Sequence, residues 1–105
     1  MRIILIVLLL ALCVPSAVQA EPTGGRVSIL SVRPYSGGLI YVQVSSAAFC
    51  DTSVFAFTNS EVNGKEMYAA ALTALVSGKE VQLEASTATG CTGWGTRLQS
   101  IYLYK

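Results

Sequence analysis

Cys50 and Cys91 limit what this chain can become more than any other pair of residues in it. They are two of its three cysteines. The third, Cys13, sits inside an N-terminal segment that reads as a discarded export signal. Arg2 opens that segment, an unbroken apolar run follows over residues 3–14, and Pro15-Ser16 leads to the small-residue ending Ala17-Val18-Gln19-Ala20 before Glu21-Pro22. This is the order of charged start, apolar stretch and cleavage site found in secretory signals. About 12 apolar residues reach only about 18 Å as a helix, against the roughly 30 Å of a bilayer core. The expectation is therefore cleavage after Ala20, no membrane span in the mature chain, and a secreted or periplasmic location.

Thiols delivered to an oxidising compartment pair. A Cys50–Cys91 disulfide would close a loop of about 40 residues and contribute roughly 4 kcal/mol in chain-entropy terms. That is comparable with the whole net stability of a short domain. Metal binding is the competing use of cysteine, but two isolated thiols in a chain with no histidine make a poor ligand set. No metal and no cofactor is expected. Cys13 has a competing reading of its own, because a cysteine at the end of the apolar run resembles the lipidation site of bacterial lipoproteins. Leu12 stands where that pattern wants a small residue, and Val14-Pro15 is a poor mature start, so Cys13 reads as part of the signal.

Residues 21–105 then form one domain of about 85 residues with a single small core. Its basic residues Arg26, Arg33, Lys65, Lys79, Arg97 and Lys105 are balanced by Glu21, Asp51, Glu61, Glu66, Glu80 and Glu84. Nucleic-acid binders gain affinity from clustered Lys and Arg, so a nucleic-acid partner is disfavoured, although Arg26, Arg33 and Arg97 could still share a face.

Along the chain, residues 26–33 (RVSILSVR) are rich in β-branched side chains up to Pro34 and read as a first strand. Tyr35-Ser36-Gly37-Gly38 supplies a turn and residues 39–44 (LIYVQV) a second strand, both faces of the hairpin looking largely apolar. A loop carries Cys50 to a third strand over residues 53–58. From Lys65 the period becomes helical, with Tyr68, Ala71, Leu72, Leu75 and Val76 as the apolar stripe, widened by Met67, Ala70 and Ala74, and Ser77-Gly78 as the stop. Residues 79–86 alternate Val81, Leu83 and Ala85 against Glu80, Gln82 and Glu84, a half-exposed strand. A Gly- and Thr-rich loop over residues 87–96 holds Cys91 and the single Trp, and residues 97–104 close as strand five. The order βββαββ is that of an OB-like five-stranded barrel, mainly β with one helix; an α+β roll or a flat sheet with one helix would use the same elements.

The stretch from Met67 to Leu83 (MYAAALTALVSGKEVQL), followed by Cys91, Gly93 and the closing Leu98-Gln99-Ser100-Ile101-Tyr102-Leu103, resembles small secreted bacterial proteins related to the receptor-binding B subunits of AB5 toxins, the subtilase-cytotoxin type in particular. The likeness covers most of the mature chain through a loose helix-strand-cysteine pattern. It implies an OB-fold, binding of a glycan or cell-surface protein, and a homo-oligomer, a pentamer by analogy. No sugar-contacting residue transfers from the family to a matching position.

Chemistry excludes more than it offers. Without His, a Ser-His-Asp or Cys-His arrangement cannot be assembled. Glu80 and Glu84 read as solvated strand face, and the Gly24-Gly25 and Gly37-Gly38 pairs as turns. The expectation is a non-catalytic binding domain. Its candidate ligand residues are Trp94, Tyr35, Thr92 and Arg97, drawn from the loops that OB-folds use for ligands and the start of the last strand. Tyr41 is a further possibility for the same role. Trp94 between Gly93 and Gly95 is the sharpest feature: its indole could stack on a sugar or anchor a protein. Folding back over the Cys50–Cys91 bridge to complete a small core is the preferred reading of it. Tyr102 and Tyr104 are expected to cover barrel wall or meet a neighbouring subunit. The alternative function is a monomeric periplasmic protein, structural or inhibitory, that binds another protein.

Overall fold

The structure, a computed structural model, describes residues 24–105. The expected signal, with Cys13 and the cleavage site after Ala20, lies outside the described residues. Strands β1 (Val27–Tyr35), β2 (Leu39–Val44) and β3 (Val54–Thr58) precede helix α1 (Gly64–Ser77), and β4 (Glu80–Ala85) and β5 (Thr96–Leu103) follow it. The order is βββαββ, as the sequence predicts. Hydrogen bonding runs β1-β2-β3-β5-β4 and closes on itself. The closing seam pairs Val27 with Val81 and Ser28 with Glu80. All neighbours are antiparallel except β3 and β5, which run parallel through Phe55–Thr96 and Ala56–Arg97. This is an OB-like small barrel.

The barrel interior is filled by Val42, Val44, Phe55, Phe57, Val81, Leu83 and Leu98, each at most 2% exposed. β4 buries Val81, Leu83 and Ala85 and leaves Glu80, Gln82 and Glu84 toward the surface, as its alternation predicts. Gly78 ends α1 by donating its N–H to the Ala74 carbonyl at 2.9 Å. Cys50 and Cys91 are joined, with Cα atoms 5.1 Å apart, tying the β2–β3 loop to the β4–β5 loop.

Three local expectations change. Pro34 does not stop β1, which continues to Tyr35 with Pro34 opposite Ile40. Beyond Ser28, β2 is the only strand that pairs with β1 among the described residues, and a residue without an N–H is tolerated on such an edge. The buried face of α1 is Gly64, Met67, Ala71 and Ala74. Leu72, Leu75 and Val76, expected in the stripe, are exposed. The helix lies close against β1 and β5, and small side chains permit that approach. The hairpin's outer face is also not apolar. A bulge at Leu30 shifts the β1 register between Ile29 and Ser31. Val27 and Ile29 point inward, and the extra residue turns Ser31, Arg33 and Tyr35 to the opposite side.

Candidate functional site

That outer face is where the chemistry gathers. In β2, Ile40, Val42 and Val44 are buried, so Leu39, Tyr41 and Gln43 face outward. Register then builds two cross-strand rows, Ser31–Gln43–Val54 and Arg33–Tyr41–Ala56–Arg97. A third row, Tyr35–Leu39–Thr58, lies next to the hairpin turn.

Trp94 reaches this face from the β4–β5 loop. Its position corrects the preferred expectation: the indole does not fold into a core over the disulfide but is 66% exposed, with its ring 5.0 Å from that of Tyr41 at a 42° tilt. The reason is the backbone. Gly93 and Gly95, at φ of 75° and 79°, turn the chain sharply on both sides of Trp94. The Gly95 N–H is held by the Val54 carbonyl at 2.9 Å, which sets the loop down beside the start of β3. Tyr41 in turn meets Tyr35 edge-on at 5.8 Å. Three aromatic rings thus run in series along one surface. The Arg33 guanidinium lies 5.0 Å from the Tyr35 ring centre, within cation–π range.

Beside the rings is a cleft of about 110 Å³ lined by Ser31, Arg33, Tyr41, Gln43, Val54 and Trp94. Ser31, Gln43 and Arg33 bring a hydroxyl, an amide and a guanidinium to it, all able to donate hydrogen bonds. Ser31 Oγ donates to Gln43 Oε1 across 3.5 Å, a long bond. A wider groove of about 630 Å³ lies between Gly37-Gly38 and the segment from Asn59 to Glu66, but no aromatic side chain lines it. The smaller cleft is the better candidate, because apolar ring faces beside a few convergent polar groups are what fix a ligand's orientation.

Of the residues singled out from sequence, Trp94 and Tyr35 come to this face, joined through Tyr41. Arg97 stands at the far end of the Tyr41 row, engaged with Glu61 at 3.4 Å. Thr92 is exposed and donates its backbone N–H to Thr96 Oγ1 at 3.0 Å. Arg33 and Arg97 share a row, whereas Arg26 stacks elsewhere, 3.7 Å from the centre of the Tyr104 ring. Ser31 and Gln43 were missed; the signal that finds them is period-two alternation read across the Leu30 bulge. Among the described residues there is no group of three or more His, Cys, Asp or Glu side chains placed to hold a metal, and no helix long and apolar enough to cross a membrane. No protein-family model matches the chain, and no curated protein matches it.

Proposed function

We propose that this chain is an exported, non-catalytic recognition domain that binds glycan through the outer face of β1, β2 and β3. The observation that carries the reading is Trp94, an indole two-thirds exposed, 5.0 Å from Tyr41 and beside Arg33 and Gln43. Burying so large an apolar ring against a ligand is favourable, and leaving it in water gains the fold nothing. The C–H-bearing face of a sugar ring fits against an aromatic face, while its hydroxyls need donors and acceptors at the edge. Gln43, Ser31 and Arg33 supply them. The disulfide and the resemblance to toxin B subunits support a place outside the cytoplasm.

A glycan array with wild type and Trp94→Ala tests the reading. Wild type is expected to bind a defined set of glycans, and Trp94→Ala to lose at least about tenfold in affinity, or 1.4 kcal/mol. Binding that is absent in wild type, or unchanged in the variant, contradicts it. Assembly is a separate part of the proposal. Val76 at 86% and Val62 at 97% exposure leave apolar surface available for a neighbour. Light scattering reads the mass: a pentamer supports the toxin-subunit analogy and a monomer removes it.

A further inference from the structure

The segment that carries Trp94 is fastened on both sides of that residue, and to the same short stretch of chain. On one side Cys91 is bonded to Cys50. On the other, the Gly95 N–H donates to Val54. Between these fastenings the turn is closed from within by Thr96, a polar residue at 0% exposure. Its hydroxyl donates to the Gly93 carbonyl at 2.6 Å and accepts the Thr92 N–H at 3.0 Å. Its own N–H donates to the same Gly93 carbonyl at 2.9 Å.

A buried hydroxyl satisfied on both its donor and its acceptor side specifies one conformation of the backbone around it. Here that backbone is the Thr92–Gly93–Trp94–Gly95 turn. The indole it presents lies mostly in water, so core packing does not require the turn to be held this tightly. A binding face does, because an anchor fixed beforehand spares the complex the entropy of ordering it.

We propose that Thr96 is the positioning residue of the aromatic face: its hydroxyl sets the turn that holds the Trp94 indole against Tyr41. This rests on the reading of that face as a glycan site, and the first readout is chosen to be independent of any glycan. Trp94 is the only Trp in the chain, so its near-UV circular dichroism and its quenching by acrylamide report on this one ring. Thr96→Val keeps the shape and removes the hydroxyl. It is expected to retain the far-UV spectrum and cooperative unfolding, to lose the near-UV signal of the Trp94–Tyr41 pair, and to raise the acrylamide quenching. Thr96→Ser, which keeps the hydroxyl, restores both spectral properties. On the glycan array, Thr96→Val loses about tenfold in affinity, or 1.4 kcal/mol, and Thr96→Ser recovers it.

Spectra of Thr96→Val that match wild type overturn the proposal. Should Thr96→Val fail to fold, Thr96→Ala against Thr96→Ser isolates the hydroxyl a second time, and a Ser variant no better than the Ala variant overturns it equally. A wild type that binds no glycan on the array ends the functional reading, while the spectra still decide the role of Thr96.

Discussion

Glu61 does more for local structure than its place on the surface implies. Its Oε1 accepts from the Thr58 N–H at 2.8 Å and from Thr58 Oγ1 at 2.9 Å, and Arg97 Nη1 approaches at 3.4 Å. The two short bonds to a carboxylate close the turn after β3, whereas the ion pair is between side chains 41% and 35% exposed and is screened by water. Glu61→Ala is therefore expected to lower the unfolding free energy by about 1–2 kcal/mol, and Arg97→Ala by under about 1 kcal/mol, both read from urea denaturation. The ion pair was not legible in the sequence, because Glu61 and Arg97 are 36 residues apart and meet only once β3 and β5 pair. Trp94 was illegible for a related reason. A single indole in a glycine-rich loop has no period, and only the turn at Gly93 and Gly95 decides which way it faces.

Elements with one clear environment could be read directly. β4 is such a case: its alternation gives the buried side, the exposed side and the bounds to within a residue. Two elements depended on context that local pattern does not hold. In β1 the Leu30 bulge reverses the faces halfway along, so extending the period from Val27 and Ile29 puts Ser31, Arg33 and Tyr35 on the wrong side. In α1 every position over residues 67–76 except Thr73 is apolar, aromatic or alanine, and hydrophobicity alone favours the larger residues for the core. Close packing selects the smaller ones: Ala71 is 0% and Ala74 1% exposed, while Val76 is 86% exposed. Ala71→Leu is thus expected to destabilise by about 1–3 kcal/mol through overpacking. Val76→Lys should stay within about 0.5 kcal/mol of wild type. Thermal melts of the pair check the assigned face; the reverse order of stability would mean that Val76, and not Ala71, is buried.

For the molecule as a whole, closure and the disulfide act on different parts. The barrel closes through the β1–β4 seam, Val27–Val81 and Ser28–Glu80, and through the parallel β3–β5 contact. The segment leading into β1 is clasped there too, by Gln82 Nε2 donating to the Gly24 carbonyl at 2.6 Å and by Tyr104 hydroxyl donating to Gln82 Oε1 at 2.7 Å. The Cys50–Cys91 bond instead joins the β2–β3 loop to the β4–β5 loop, with its ends 41 residues apart in sequence. Its removal leaves every strand pairing intact but releases the unfolded chain, so reduction is expected to lower stability by roughly 4 kcal/mol, seen as a shift of the urea midpoint. Order, closure and the bridge were all legible from the spacing of strands and cysteines. The proposed binding face was not, because it is assembled from three strands and one loop by register.

Everything proposed about function depends on where a ligand sits, and NMR shift mapping locates it most directly. Labelled protein titrated with the tightest-binding glycan from the array is expected to show changes at the Trp94 indole N–H, the Gln43 side-chain amide and the Tyr41 backbone, with α1 unaffected. Shifts confined to the groove between Gly37 and Glu66, or to the exposed face of α1, would contradict the account.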